Sequence, residues 1–291
     1  MNLALAVDIG GTKMAAAMVD DRGHVLAPSR RSTLTPATSD PEEVWRALAA
    51  LVDKVVDHSA YEIDVCGAGC GGPMAPGGEA VSPLNIGGWR GFPLRARLVA
   101  HLGGELPVFV DNDAKALALG EGWVGAAAGL EAFIAMVVST GVGGGIVLDG
   151  RLLDGALGNA GHIGHVIVVP NGRQCACGAR GCLEAEASGT AIRAITGRDP
   201  ADAPPELREH VGRLVGRAVA SVANLLDLRL AGVAGSVALG YGDVFIAAAQ
   251  AELDACARLD FSRGARIVPA GLGADGPLVG AAAVAFRGDV R

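Results

Sequence analysis

A strand, a glycine-rich loop and a returning strand occur twice in this chain of 291 residues, and they constrain the fold more than any other feature. Residues 3–8 (LALAVD) predict a buried strand, IGGTK a glycine turn, and residues 14–19 (MAAAMV) the returning strand. Residues 133–138 (FIAMVV) predict a second such strand, followed by the loop STGVGGG and the short strand IVL. Repetition of one layout predicts duplicated halves that face a shared cleft.

The segments around these hairpins alternate between helices and strands, which is typical of an α/β fold. Asp40-Pro41-Glu42-Glu43 predicts a helix start, with a cap residue, a proline and acids in the first turn, and that helix should run to about residue 57. Further helices are predicted at 113–122, 206–227, 243–259 and 277–287, with strands at 107–111 and 229–234.

The composition excludes several classes of protein. The net charge is −7 and no basic block occurs, which argues against nucleic-acid binding. The longest early apolar run, residues 3–7, is too short for a secretory signal, and no run approaches the roughly 20 residues of a membrane span. We therefore expect a cytoplasmic protein without a membrane partner.

The first glycine loop predicts a phosphate site. Gly10 and Gly11 allow backbone N–H groups to point at an anion without obstruction by a Cβ atom. Thr12 adds a hydroxyl and Lys13 a positive charge, and Asp8 at the strand end is placed to hold Mg²⁺ through water. The alternative is a plain β-hairpin with a Gly-Gly turn.

The second glycine loop, Thr140-Gly-Val-Gly-Gly-Gly145, offers another set of backbone amides and a hydroxyl. Two such loops can hold a triphosphate from both sides. Phosphoryl transfer requires little more from a protein than positioning and neutralisation of charge. A tight hairpin is again the alternative.

The segment Asp111-Asn112-Asp113 follows a predicted strand and opens a predicted helix. A sugar hydroxyl that attacks a phosphate needs a carboxylate within hydrogen-bond reach, and Asp113 can serve as that base while Asn112 orients the sugar. The alternative is a helix cap, because Asp and Asn are common N-cap residues. The two roles can coexist.

Clustered thiols and an imidazole in a glycine-rich segment predict a closed structural Zn²⁺ site. The ligands would be His165, Cys175, Cys177 and Cys182. The alternative is a set of buried free thiols. His162 is a further candidate for a ligand or a substrate contact, and Glu184 would be held rigidly by the zinc loop. For Cys66, Cys70 and Cys256 we expect a packing role.

These motifs stand in the order in which ROK sugar kinases carry them, and the chain resembles that family over essentially its whole length. The segments are Asp8-Ile-Gly-Gly-Thr-Lys13, Asp111-Asn-Asp113, STGVGGG, and G-H-I-G-H followed by C-x-C-G-x-x-G-C-x-E. The resemblance implies an α/β, actin-like (ribonuclease H-like) fold of two lobes, each with a mixed sheet, a cleft between them and a structural zinc loop. Residues 1–113 would form the N-terminal lobe, with the helix 277–291 packing back on it, and residues 114–276 the C-terminal lobe with the zinc loop 154–184.

The resemblance also implies an enzyme that uses ATP, Mg²⁺ and a structural Zn²⁺, with Asp113 as the base that deprotonates the 6-hydroxyl of the sugar. The residues implied in sugar binding are Gly72, Asn85, Asn112, Asp113, His162, His165 and Glu184. The residues implied in ATP binding are Asp8, Gly10, Gly11, Thr12, Lys13, Thr140, Gly141, Gly143, Gly144 and Gly235. The adenosine-side turn departs from the family pattern, because Ala234 stands where a glycine is usual.

One position bears on the substrate. ROK glucokinases typically carry Glu where this chain has His162, whereas bacterial N-acetylmannosamine kinases resemble it in G-H-I-G-H and in Pro83-Leu-Asn-Ile-Gly-Gly88. The resemblance therefore implies phosphorylation of N-acetyl-D-mannosamine at the 6-hydroxyl, in aminosugar or sialic acid breakdown. An imidazole and a carboxylate differ in charge and reach, so we hypothesise that His162 affects recognition at the C2 end of the sugar.

Several alternatives stay open. The chain can be a glucokinase or an N-acetylglucosamine kinase of the same family, since only pocket residues separate these activities. A ROK-type transcription regulator is disfavoured, because such proteins carry an N-terminal helix-turn-helix domain and the phosphate loop here begins by residue 8. A zinc-stabilised sugar-binding protein without catalysis is the third.

Members of the family commonly form oligomers, so we expect a homodimer or homotetramer.

Overall fold

The chain folds as two compact units in a computed structural model that describes residues 2–57 and 61–287. The first unit contains residues 2–128, 154–160 and 272–287, and the second contains 129–153 and 161–271. Three stretches that the sequence analysis assigns to the second lobe belong to the first unit instead. They are residues 114–128, 154–160 and 272–276. The reason for 114–128 is that this helix continues directly from a strand of the first sheet and lies against the C-terminal helix, where a Cβ on Gly120 would be 3.1 Å from Gly280 Cα.

The first unit combines strands and α-helices up to residue 128. In chain order they are β1 (Leu3–Ile9), β2 (Lys13–Asp20), β3 (Arg31–Leu34), α1 (Pro41–Val56), β4 (Val65–Cys70), α2 (Leu94–His101), β5 (Val108–Asn112) and α3 (Asp113–Val124).

The second unit follows, and one last helix returns to the first. The elements are β6 (Phe133–Val138), β7 (Val142–Leu148), β8 (Arg151–Leu152), α4 (Leu183–Ala187), α5 (Gly189–Thr196), α6 (Pro205–Leu226), β9 (Leu230–Ala234), α7 (Ser236–Cys256), β10 (Arg266–Pro269) and, in the first unit, α8 (Gly276–Arg287).

Both units are built on a five-stranded mixed sheet of one topology. In the first, β1 pairs antiparallel with β2 and parallel with β4, and the order is β3-β2-β1-β4-β5. In the second, β6 takes the place of β1, and the order β8-β7-β6-β9-β10 repeats the same sequence of directions. The predicted duplication and the predicted α/β class with a mixed sheet in each half are confirmed.

The central strand β1 buries both of its faces, which explains its continuous apolar sequence. Leu5 and Val7 lie in one cluster, together with Trp45 and Leu48 of α1. The alternate residues of the strand are alanines, and they form a second cluster with Ala281 and other small residues of α8. The prediction of α1 is also confirmed, because Asp40 caps it by accepting a hydrogen bond from Glu42 N at 2.9 Å.

The alanine face lets α8 approach the sheet very closely. A Cβ atom on Gly67 in β4 would lie 2.0 Å from the carbonyl oxygen of Ala281, so no side chain fits there. Two residues further along the same face of β4, a Cβ on Gly69 would make only an ordinary contact, 3.5 Å from Ala116 Cβ.

Some boundaries differ from the sequence-based expectations. Helix α7 begins at Ser236 rather than at 243, because a kink at Gly242 joins an earlier turn to the predicted helix. Strand β4 (VCGAGC) was not predicted, since its small residues give no clear period. The elements β3, β8, β10, α2, α4 and α5 were not predicted either, and each of them has eight residues or fewer. Residues 288–291 of the predicted C-terminal helix lie outside the described residues. Among the described helices, none combines the length and the apolar character that crossing a membrane requires.

We predict that Gly67→Ala destabilises the protein while Gly69→Ala does not. The new methyl group at 67 would overlap the backbone of α8, and overpacking of this kind costs about 1–3 kcal/mol of the free energy of unfolding. Thermal unfolding followed by circular dichroism measures the effect, with Gly69→Ala as the control on the same strand. Equal melting temperatures for the two variants would contradict the close packing of α8.

Candidate active site

The first glycine loop is a three-residue turn between β1 and β2. Gly10 N donates to Lys13 O at 3.1 Å, and the Thr35 hydroxyl donates to Gly10 O at 2.6 Å, so the turn is fixed from two sides. A Cβ on Gly11 would lie 2.4 Å from Asn85 Cβ. The absence of a side chain at Gly11 therefore admits the segment that carries Asn85, which the sequence assigns to the sugar.

Two carboxylates lie near this turn. Burial raises the pKa of Asp8 to about 7, the negative charge of Asp113 adds to the rise, and Lys13 opposes it. A pair of carboxylates that one lysine neutralises only in part is a donor set that suits a hard divalent cation. The residues present thus fit the Mg²⁺ that the sequence predicts beside Asp8.

The segment Asp111–Asp113 joins β5 to α3, and its adjacent residues have different roles. Asn112 is the N-cap of α3, and its side-chain oxygen accepts from Ala114 N at 3.0 Å. The capping alternative is therefore confirmed for Asn112. Asp113 is the first residue of the helix and its side chain is exposed, as accessibility to a substrate requires.

A buried lysine that the sequence analysis missed secures the start of α3. Lys115 is 2% exposed, and its ammonium group lies 2.5 Å from Asp154 Oδ1, 3.1 Å from Gly158 O and 3.4 Å from Asp111 Oδ1. Burial raises the pKa of Asp111, and Lys115 opposes the rise. The lysine thereby ties residues 154–158 to the helix that presents Asp113. Its i,i+4 spacing from Asp111 was the only signal in the sequence.

A cavity of about 160 Å³ adjoins this ion pair and is lined by both Asp111 and Lys115. Pro76, Gly77 and Gly78 form another wall. Gly72, an expected sugar contact, precedes this wall by four residues and is bonded to Pro73 through a cis peptide.

The second glycine loop is shorter than the sequence suggests. The turn spans Ser139–Gly141, and β7 already begins at Val142, so Gly143 and Gly144 are strand residues paired with β6. A Cβ on Gly144 would lie 3.0 Å from Ile163 Cγ2. Close packing on the segment before His165 thus accounts for this glycine, and the expectation that 141–145 form one open loop is wrong.

The turn itself is held by α4 and α5. Glu184 Oε2 accepts from Val142 N at 2.9 Å, and a Cβ on Gly141 would lie 2.8 Å from the same oxygen. The N-terminus of α5 binds the turn carbonyls, with Gly189 N donating to Ser139 O at 2.7 Å and the Thr190 hydroxyl to Thr140 O at 2.9 Å. The turn is therefore rigid, whereas its Thr140 side chain is exposed.

A cavity of about 280 Å³ in the second unit begins at this turn. Gly235 adopts φ 101°, and a Cβ there would lie 2.3 Å from Val138 O, so the turn before α7 passes directly beside the end of β6. The sequence analysis missed most of the lining, because these residues come from three separate elements. They include Thr190, Arg193, Asp199, Ser236, Gly240 and Tyr241.

The four predicted metal ligands are brought together. One ligand atom from each residue lies within 4.8 Å of the others, and Cys175 Sγ is 3.7 Å from His165 Nδ1 while Cys177 Sγ is 3.7 Å from Cys182 Sγ. Tetrahedral Zn²⁺ with Zn–S bonds of about 2.3 Å would set its sulfurs roughly 3.8 Å apart. The spacing fits a closed zinc site.

The charges of this cluster also suit a cation. Burial and the neighbouring thiols raise the pKa of Cys182 to about 12, while the Ala179 amide lowers the pKa of Cys177. Thiols this close resist full ionisation until a cation neutralises them. His162 lies beside the cluster, with its ring centroid 6.1 Å from that of His165, and its side chain is exposed.

Comparisons with known proteins agree with these motifs. An N-acetylmannosamine kinase of Citrobacter koseri is 38% identical over 254 residues, which cover 82% of this chain and 84% of that protein. A glucokinase of Thermotoga maritima is 40% identical over 191 residues, which cover 65% of this chain and 58% of that protein. The crystal structure of a ROK family glucokinase from Streptomyces griseus, in complex with glucose and AMPPNP, superposes with a TM-score of 0.84 at 30% identity, covering 98% of this chain and 100% of that one.

The sequence profile of the ROK family matches residues 4–287, which is nearly the whole chain. The two mixed sheets of like topology and the structural similarity to ROK kinases identify the fold as that of the actin-like ATPases. By sequence and by fold, this chain belongs to the ROK family.

Proposed function

We propose that this protein transfers the γ-phosphoryl group of ATP to the 6-hydroxyl of N-acetyl-D-mannosamine. The observation that carries the proposal is an exposed Asp113 at the start of α3, close enough to Asp8 to raise its pKa, in a ROK chain. The N-acetylmannosamine kinase of Citrobacter koseri, which covers more than four fifths of the chain, supports this choice of sugar.

Asp113 acts as the base. Its exposed carboxylate accepts the proton of the 6-hydroxyl, and the cap bonds around Asn112 keep the start of α3 in place during the reaction. Asn112 uses its side-chain oxygen for the cap, so its amide N–H groups are the part that binds the sugar. Gly72, Asn85, His162, His165 and Glu184 complete the proposed sugar contacts.

The phosphates bind at the two glycine turns. Lys13 and the Thr12 hydroxyl lie exposed at the first turn, and Thr140 lies exposed at the second. Mg²⁺, when bound, neutralises charge on the triphosphate, and Asp8 would hold it through water. The adenosine occupies the cavity that begins at Thr140 and is lined by Ser236.

Zinc has a structural role in this proposal. A site with three thiolates and one imidazole is full, so it offers no open position for a catalytic water. His165 Nδ1 faces the thiols, and Nε2 on the opposite edge of the ring is the atom that binds the sugar.

Glucose is the main alternative substrate. The glucokinase of Thermotoga maritima has the higher identity, although over a shorter stretch of the chain. His162 favours the N-acetylated sugar, because an imidazole replaces the carboxylate that glucokinases typically carry. We further propose that the protein is cytoplasmic, since the free cysteines of the cluster need a reducing compartment. We also propose a homodimer or homotetramer, because members of the family commonly form oligomers.

In an ADP-release assay with Mg²⁺-ATP, we expect kcat/KM for N-acetylmannosamine to exceed that for N-acetylglucosamine, mannose and glucose. A preference of about tenfold or more is expected. A sugar without the N-acetyl group leaves a hydrogen-bonding group of the pocket without its partner, which costs about 1–3 kcal/mol. Preference for glucose would keep the family and overturn the substrate. Absence of turnover on all four sugars would overturn the kinase proposal.

Asp113→Asn should lower kcat by about 10²- to 10⁴-fold, because general base catalysis contributes that much. The amide keeps the shape of the carboxylate and removes a charge that opposes ionisation of Asp8, so the melting temperature should not fall below that of the parent protein. Steady-state kinetics with N-acetylmannosamine measures the effect. A rate near that of the parent would mean that Asp113 is not the base.

The metal proposal predicts one zinc per chain, measured by plasma emission spectrometry on protein purified without chelator. Cys177→Ser should reduce the zinc content and the melting temperature, because a closed site loses one of its four ligands. Cys256→Ser is the matched control, since both thiols are exposed and only Cys177 belongs to the cluster. Equal zinc contents in the two variants would rule the cluster out.

A further inference from the structure

A side chain next to the metal cluster also contacts the turn proposed to bind phosphate. Glu184 lies in the first turn of α4, two residues after the metal ligand Cys182, which is the N-cap of that helix. Its Oε2 accepts the hydrogen bond of Val142 N at 2.9 Å. Val142 is buried at 5% exposure, and this carboxylate is the acceptor of its amide.

A second segment that carries a metal ligand contacts the same strand start at another point. A Cβ on Gly164 would lie 2.2 Å from Val142 O, and Gly164 immediately precedes the metal ligand His165. Both the amide and the carbonyl of Val142 are therefore contacted by residues next to metal ligands. Leu183 N in turn donates to Val166 O at 2.9 Å, which joins the two ligand-bearing segments to each other.

We propose that Glu184 is a positioning residue through which the metal cluster holds the Ser139–Gly141 turn in the conformation that binds the phosphates of ATP. This rests on the proposed function, which places those phosphates at the turn, and it adds a nucleotide-side role for a residue otherwise expected to contact sugar. Loss of the carboxylate leaves Val142 N unpaired and releases the turn. Loss of the metal releases Cys182 and thereby α4, with the same result at Val142.

The charge of Glu184 acts in the opposite direction. A carboxylate near a phosphate site repels the anion, so removal of its charge alone would tighten ATP binding. The hydrogen bond from Val142 N already neutralises part of that charge, and we expect the geometric effect to dominate. Two substitutions separate the effects, because Glu184→Gln removes the charge and keeps an oxygen that can accept, whereas Glu184→Ala removes both.

The test is isothermal titration of AMPPNP with Mg²⁺ into the zinc-loaded protein without sugar. Glu184→Ala should weaken binding by about tenfold, since it removes the acceptor of the Val142 amide and loosens the turn. Glu184→Gln should bind as the parent does or slightly more tightly. Zinc content and melting temperature of both variants establish that the fold is kept.

Removal of the metal by chelation provides a second test. Stripping zinc should weaken nucleotide binding in the parent and have little further effect in Glu184→Ala, because the two changes break one connection. If stripping unfolds the chain, the comparison of the two zinc-loaded variants decides alone.

The outcomes are distinct. Unchanged or tighter AMPPNP binding by Glu184→Ala overturns the inference. Equal weakening by both substitutions also overturns it, because Glu184→Gln keeps an oxygen that can accept from Val142 N. A rise in the KM for sugar with unchanged nucleotide binding would make Glu184 a sugar contact only. Failure of the parent to bind AMPPNP would instead overturn the proposed function.

Discussion

Parallel pairing of β1, β4 and β5 is the interaction on which the first half of the site depends. The register aligns Asp8 with Gly69 and Gly69 with Asp111, so the acidic ends of two strands come to one edge of the sheet. Gly69 lies between them on β4, and the start of α3 is close by, with Asp113 Cα 3.6 Å from the position that a Cβ on Gly69 would take. Main-chain hydrogen bonds of the sheet thus hold Asp8 near Asp113, although the charge of Asp113 opposes ionisation of Asp8.

Burial of Asp8, to which the negative charge of Asp113 adds, has a cost that appears as a pH dependence of stability. The pKa of Asp8 is about 7 in the folded protein, above the ordinary value of 3.8, so folding disfavours its charged form. Stability from this group is therefore greatest below pH 4 and decreases as the pH rises toward 7. A cation at this position would remove the penalty, which is the usual relation between a binding site and the fold that carries it.

Residues close together in sequence could be predicted, because their spacing alone reveals the chemistry. The turn at Gly10–Lys13, the cap and carboxylate at Asn112 and Asp113, and the four clustered ligands all fall within short segments. The turn and the cluster form where the sequence predicts them, although Gly10 N donates to Lys13 O instead of pointing at an anion. The roles in binding and catalysis stay predictions.

The remainder could not be read in advance, because it depends on long-range contacts. Lys115 bonds Asp154, which lies 39 positions away, and the lining of the larger cavity comes from four separate stretches of the chain. Gly144 was assigned to a phosphate loop because a glycine required for strand packing looks the same in a sequence as one required for a turn. Only the approach of Ile163 separates the two readings.

The alanine-rich face between β1 and α8 has a consequence for how this chain can change. Ala4, Ala6 and Ala281 are fully buried and already carry the smallest side chain that a helix or strand normally tolerates. Almost no atoms can be removed there, and growth is blocked by the backbone, whereas the opposite face can exchange volume among Leu, Val and Trp neighbours. Substitutions accepted during evolution should therefore accumulate on the face that packs on α1. The alanine-rich face that packs on α8 should change most slowly, although it buries the smaller side chains.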